Sequence, residues 1–277
     1  MPVFIKILKS QGHKLTIFDI EQPRAASIAN ENGCEVASSI PELIRFSDTV
    51  LICTPIQTIP EIIETAFNCV EKNVSLVEIS SIKSRTIVKL KSSPPHVRPL
   101  CVHPMFGPDV ESFEGTTVIV MPVNDDQREV EYAQKLFKGA KIKVLDFEKH
   151  DKSMALILSL PYFMNSAFVK CIEEEQLILL KEIAGPTFKT QLALSECIIG
   201  EDPLLVQSLI EDNLYAREVL SHFIDELKYL RRMLKKTPRM LTAYYDKSLE
   251  QLKKDPDLLN ARKIRDEFIQ ARQVDQY

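Results

Sequence analysis

The feature that most constrains this chain is a change of hydrophobic period near residue 148. Before it, short apolar runs alternate with helical segments. The runs lie at 14–18, 35–37, 49–53, 75–79, 97–102, 116–121 and 141–145; the segments between them, at 2–10, 22–32, 41–46, 59–67, 84–91 and 126–138, carry helical spacing. Gly33 closes the second of those helices. Short strands of three to six residues separated by helices predict a parallel, doubly wound α/β sheet. After residue 148 the period is 3.6 and no strand candidate remains. Asp151 reads as the N-cap of a long helix reaching about residue 174, followed by helices at 176–200 (interrupted at Gly185-Pro186), 203–235 and 256–272. The chain thus divides into an α/β domain over 1–148 and an all-helical domain over 149–277.

Composition excludes several classes. Net charge is −4 with no long basic block, so nucleic acid is not suggested as a partner. Lys228, Arg231, Arg232, Lys235 and Lys236 form a basic helix face, read as solvated. The six cysteines are scattered, without a CxxC pair or metal-ligand spacing. Cys53 and Cys101 sit inside apolar runs and read as buried thiols. No metal is expected, and the usage fits a reducing, cytoplasmic setting. No signal peptide is apparent, and no apolar run approaches the roughly 18 residues of a membrane helix. By contrast, 154–160 is apolar on more than one face, which predicts burial at a domain or subunit interface.

Three strand ends carry chemistry. Asp19 follows the run 14–18. At that position of a dinucleotide-binding unit, a carboxylate accepts hydrogen bonds from the adenosine ribose hydroxyls and disfavours a 2′-phosphate. NAD is therefore expected; Arg24, five residues on, keeps NADP open, and a helix cap explains Asp19 equally well. The run 75–79 leads to Ser80-Ser81-Ile82-Lys83, and 97–102 leads to His103. Ligands of open α/β sheets sit outside the carboxyl ends of the strands. A histidine and a hydroxyl there make an acid–base pair; a loop histidine satisfied by backbone is the bland alternative. A first strand and G-x-G-x-x-G are expected ahead of Asp19, yet the chain starts inside the helix that leads to it. Either the recorded start is some ten to fifteen residues late, the favoured reading, or the sheet lacks its central strand.

With these residues in view the chain resembles the prephenate dehydrogenases, from Leu8 to about residue 235. The most specific element is His103-Pro104-Met105-Phe106-Gly107-Pro108-Asp109. Glu78-Ile79-Ser80-Ser81-Ile82-Lys83 is similar to the family's D-V-x-S-x-K element. His150-Asp151 with Ala155 and Leu160-Pro161 resembles the start of its substrate-domain helix. The resemblance implies a Rossmann-like domain with an all-helical substrate and dimerisation domain. It also implies oxidative decarboxylation of prephenate to 4-hydroxyphenylpyruvate by a homodimer. His103 would be the base and Ser81 its hydrogen-bonding companion, with Lys83 structural. Thr54-Pro55 would line the nicotinamide, and Tyr162 and Lys189 would serve the substrate.

Two positions depart from the family. Tyr162 stands where many members have a second histidine, and Cys197 where they place a carboxylate-binding arginine. A dianionic substrate needs cations, and Lys189, two helical turns before Cys197, is the local substitute. Arogenate stays open as substrate. Other readings are a relative among the β-hydroxyacid or imine-reductase-like dehydrogenases, against which His103 speaks, and a non-catalytic binding or regulatory protein.

Overall fold

The computed structural model describes residues 2–234 and 238–274; Lys235 and Lys236 of the expected basic face lie outside them. It falls into two units, Met1–Met154 with Gln207–Leu214, and Ala155–Val206 with Tyr215–Tyr277. The first unit thus runs six residues past the expected boundary and takes back a short later segment.

In the first unit, α1 (Pro2–Ser10), β1 (Thr16–Ile17), α2 (Gln22–Asn32), β2 (Glu35–Val36), α3 (Ile40–Phe46) and β3 (Thr49–Ile52) follow the expected order. They are joined by α4 (Ile59–Cys69), β4 (Val74–Glu78), α5 (Thr86–Lys91), β5 (Val97–Pro104), β6 (Thr117–Val120), α6 (Asp126–Leu136), β7 (Lys141–Val144) and α7 (Phe147–Met154). Gly33 ends α2 at φ 60°, a left-handed turn that glycine enters without a Cβ clash. The strands form two sheets, β1-β2 and β3-β4-β5-β6-β7. Helix α1 bridges them. Its Val3, Phe4, Ile7 and Leu8 pack on the larger sheet with Val77, Leu100, Val102 and Val118, while Ile5 packs with Ile17, Ala25 and Ala29 on the smaller.

One expectation needs correction. The larger sheet is mixed: β5 and β6 pair antiparallel, whereas the other ladders are parallel. The cause is the connection. No helix lies between Pro104 and Thr117, and a parallel return requires a crossover, usually helical. A second correction concerns Asp151. It lies inside α7, whose N-cap is Asp146, accepting from the Lys149 amide at 2.8 Å.

The second unit is helical throughout its described residues. A five-residue π-helical segment, Ala155–Ser159, runs directly into α8 (Leu160–Lys170). Pro161, at the start of α8, has no amide hydrogen for the preceding turn. Then come α9 (Leu177–Ile183), α10 (Pro186–Ile199), α11 (Pro203–Glu211, which crosses into the first unit's segment), α12 (Ala216–Met233), α13 (Pro238–Leu252) and α14 (Ala261–Val274). Helix α13 is not anticipated by the sequence reading. Buried Asn165 and Ser195 tie α8 to α10: the Ser195 hydroxyl and the Gln191 amide donate to Asn165 Oδ1 at 2.7 and 2.6 Å.

Candidate active site

Strand β5 outruns its parallel partner. Cys101 is the last residue paired with β4, opposite Glu78, and His103 then pairs with Ile119 of β6. His103 is therefore a strand residue at the carboxyl edge of β4, not a loop residue. The chain after it is pinned: the Met105 amide donates to Thr117 O at 2.8 Å, and the Phe106 ring packs on Phe4 and Phe113 with centroids 6.0 and 5.7 Å apart.

The carboxyl end of β4 supplies a buried ion pair. Lys83 Nζ donates to Glu78 Oε2 at 2.8 Å and to the Val102 carbonyl at 2.5 Å, both side chains fully buried. Glu78 also accepts from Thr86 Oγ1 at 3.2 Å, Cys101 Sγ at 3.4 Å and the Ser80 amide at 2.6 Å. Lys83 is thus structural, as the sequence suggested. Its charge still reaches His103.

His103 is held from the other side by α7. Its Nδ1 lies 2.9 Å from His150 Nε2, and His150 Nδ1 lies 2.8 Å from Asp151 Oδ1. Asp151 accepts further from the amides of Lys83 (3.1 Å) and Ser84 (2.8 Å) and from the Ser84 hydroxyl. Its own carbonyl accepts from Asn213 Nδ2 at 2.8 Å, and Asp212 pairs with Arg85 at 2.8 Å, which ties in the segment Gln207–Leu214. Burial pushes the Asp151 carboxyl up, but the bonds from His150, Ser84 and the Lys83 amide outweigh it, and the group ends below the usual carboxylate range. Burial, then the Lys83 ammonium, then His150 push His103 well below the ordinary imidazole value. His103 is neutral at neutral pH. Among the described residues its Nε2 has no hydrogen-bond partner and no buried side-chain nitrogen or oxygen is left unpaired, so Nε2 is open to the surface.

The expected companion of His103 is not its partner here. Ser81 is half-buried and its hydroxyl bonds no described residue; Ser80 is the buried one, turned back to the Ile82 carbonyl at 2.8 Å. The described side-chain partner of His103 is instead His150, which the sequence places near a helix start.

Two family models cover most of the chain. The prephenate dehydrogenase nucleotide-binding domain matches residues 4–146 and the prephenate dehydrogenase dimerization domain residues 146–253. The chain belongs to the prephenate dehydrogenase family. A probable arogenate/prephenate dehydrogenase of Methanocaldococcus jannaschii is 24% identical over 85% of this chain and 54% of that relative. The T-protein of Enterobacter agglomerans is 28% identical over 75% of this chain and 52% of that relative. The chain therefore spans about half the length of these relatives. Among solved structures, prephenate dehydrogenase from Aquifex aeolicus, in complex with hydroxyphenyl propionate and NAD+, matches with a TM-score of 0.73 at 20% identity, covering 95% of this chain and 94% of that one. The arogenate dehydrogenase of Synechocystis matches at 0.68 and 17%, covering 92% and 95%. At such identities these two likenesses speak for the fold, an α/β domain with a helical one.

The remaining residues expected from the family pattern are placed as follows. Asp19 lies two residues beyond β1, its carboxylate accepting from the Glu21 amide at 3.0 Å and 4.0 Å from Arg24 Nε. Thr54 and Pro55 follow β3; Pro55 opens a turn of 3₁₀ helix, and the Thr54 hydroxyl bonds no described residue. Tyr162 is on α8 and Lys189 on α10, both in the second unit. Burial, then nearby Glu201 and Cys197, raise the Tyr162 phenol, so it is a hydrogen-bond donor and not a charge at neutral pH.

Proposed function

We propose that this protein is a dehydrogenase that removes hydride and carbon dioxide from prephenate, giving 4-hydroxyphenylpyruvate for tyrosine biosynthesis. The observation that carries the reading is His103: neutral, held at Nδ1, open at Nε2, at the carboxyl edge of the sheet in a chain of this family. The residues present fit a nicotinamide dinucleotide at two points. Asp19 offers a carboxylate at the end of β1 for ribose hydroxyls, and Thr54-Pro55 stand at the end of β3 for the nicotinamide side. Bound NAD supplies the hydride acceptor; Arg24 beside Asp19 leaves NADP as the second choice.

His103 Nε2 takes the proton of the substrate's C4 hydroxyl as hydride leaves C4. Loss of hydride turns the carbinol toward a ketone and makes that proton strongly acidic, so a base of depressed pKa suffices. The C1–carboxylate bond then breaks, its electron pair entering the ring as CO2 departs, and the oxygen at C4 becomes the phenol by recovering the proton from His103. Ser81, with a hydroxyl uncommitted among the described residues, orients the C4 oxygen. Tyr162 and Lys189 receive the substrate carboxylates, two identical chains pair through the helical unit, and the enzyme works in the cytoplasm, a placement supported by six free cysteines. Arogenate is the second reading. It has one side-chain cation more than prephenate, and Cys197, where the family pattern has an arginine, removes a cation from the protein's side.

The test is NADH absorbance with NAD and prephenate, repeated with arogenate and with NADP. Turnover of prephenate with NAD is expected. No turnover of either dienol with either cofactor by folded protein overturns the reading.

A further inference from the structure

We propose that Asp151 and His150 are positioning residues that keep His103 in the Nδ1–H tautomer and stabilise the charge it gains. The inference rests on His103 being the base of the proposed reaction. Asp151, ionised, can only accept, so His150 Nδ1 carries a hydrogen toward it at 2.8 Å. With that single hydrogen placed at Nδ1, the lone pair of the His150 ring is at Nε2. That lone pair faces His103 Nδ1 at 2.9 Å, so His103 must carry its own hydrogen there. Its single remaining lone pair is at Nε2, the nitrogen that no described residue occupies. Only this tautomer is a base on the open side.

The same line of hydrogen bonds answers an electrostatic need. Lys83 lies fully buried next to His103, Cys101 and Glu78 flank it, and β6 contributes apolar Ile119. Glu78 is committed to the Lys83 ammonium. The negative charge connected to the His103 ring through hydrogen bonds is therefore Asp151. When Nε2 takes the hydroxyl proton, O–H is broken and Nε2–H formed; the Nδ1–H bond to His150 becomes charge-assisted, and His150 passes the polarisation to Asp151. Asp151 is itself tethered by the amides of Lys83 and Ser84, the residues that leave β4, so the line is anchored to the same strand end as the lysine that opposes it.

The test uses the whole chain with 15N-labelled histidine. In the wild type at pH 7.5 the His103 resonances, assigned by loss in His103→Asn, are expected to show a protonated Nδ1 and a bare Nε2. In Asp151→Asn, the new amide NH2 faces His150 Nδ1, moves its hydrogen to Nε2 and reverses His103, so the two His103 shifts exchange. kcat falls by about 10²–10⁴-fold, the contribution of a positioned acid–base group, with KM changed only a few-fold. His150→Gln, whose amide oxygen can still accept from Nδ1–H, keeps at least ten times the kcat of His150→Leu. A wild-type His103 protonated at Nε2, or an Asp151→Asn protein with unchanged tautomer and kcat within threefold, overturns the inference. The tautomer is read from the wild-type spectrum itself, and His103→Asn serves only to assign it. That spectrum also needs no turnover, so a chain inactive on every dienol yet showing the Nδ1–H form would sink the proposed reaction while leaving the tautomer in place.

Discussion

The Lys83 ammonium lies 2.8 Å from Glu78 Oε2 with both side chains fully buried, one charge at the last residue of β4 and the other five residues on. Such a pair is sustained by mutual compensation. Removing one partner leaves the other charge uncompensated in the core, at a cost of roughly 3–5 kcal/mol. Lys83→Met should therefore lower unfolding stability by about that much in urea melts. Glu78→Gln in the same background should recover part of it, because the remaining carboxylate charge is removed while the amide oxygen still accepts from the Ser80 amide and the new NH2 can donate to the Thr86 hydroxyl. A single variant within 1 kcal/mol of wild type, on the order of a minor surface change, would show that the pair is not the spine of this strand end.

His103 makes stability depend on pH in a definite direction. Burial, Lys83 and His150 depress its folded pKa below the ordinary value of 6.5. Between the two values the unfolded chain binds a proton that the folded one refuses. Stability then rises with pH across that window and is lost as pH falls from 6.5 toward the folded value. Asp151, also depressed, adds a loss of the same sign at lower pH. Replacing His103 by Asn should flatten the upper part of the curve, measured as urea midpoints from pH 7 to 5, and should reduce kcat by roughly 10²–10⁴-fold if His103 is the base. An unchanged slope would mean that His103 is not held neutral; a kcat within a few-fold would remove it from the mechanism.

The thiols divide by environment. Burial pushes Cys53 up to about 11 and Cys101 well above its usual value, whereas Cys171 and Cys197 are exposed. The thiolate is the reactive species. Iodoacetamide at pH 7.5 followed by peptide mass mapping should label Cys171 and Cys197 first and leave Cys53 and Cys101 until the protein is unfolded. Early labelling of Cys101 would contradict its place against Glu78.

Much of this architecture is legible in the residues alone, for a reason of length scale. Runs such as Val74–Glu78 and Thr49–Ile52 are short and apolar because they lie within a sheet packed by helices, and the switch to period 3.6 marks the helical unit. What sequence reading misses is set by contacts between distant positions. His150 and His103 are 47 residues apart, and a His-Asp pair beside an apolar helix looks like a cap. The antiparallel β6 did leave a trace: the stretch between Pro104 and Thr117 has no helical period, so no crossover was available. Helix Pro238–Leu252 also had a signal, a proline at its first position, diluted by the polar residues of an exposed helix.

In the proposed reaction Lys189 and Tyr162 are the candidates for binding the substrate carboxylates. Lys189→Met should raise KM for prephenate by roughly tenfold, the loss of one charged hydrogen bond, with kcat little changed. Tyr162→Phe should raise it less, since a neutral phenol contributes a weaker bond. Steady-state kinetics separate the two effects. If both variants keep the wild-type KM, the substrate carboxylates are bound elsewhere.

Assembly gives the last expectation. The helical unit exposes an unusual share of large apolar side chains: Leu156 and Ile157 in the π-helical segment are 57% and 52% exposed, Ile178 and Ile183 on α9 are 74% and 70%, and Leu194 and Ile199 on α10 are also exposed. Soluble monomers rarely leave apolar patches of more than a few hundred Å² uncovered. This region lies within the match to the dimerization domain of the family. A second copy of the chain is the expected cover, in a two-fold interface where each residue meets the same patch on its partner. Obligate dimers of this kind bury on the order of 2,000 Å² or more. Light scattering at micromolar concentration should give twice 31.6 kDa. A double substitution, Ile178→Glu with Ile183→Glu, places two like charges on each side of such an interface and should shift the mass toward the monomer without lowering helix content by circular dichroism. A monomer mass for the wild-type protein at these concentrations would leave the apolar surface without its expected cover and would refute the dimer.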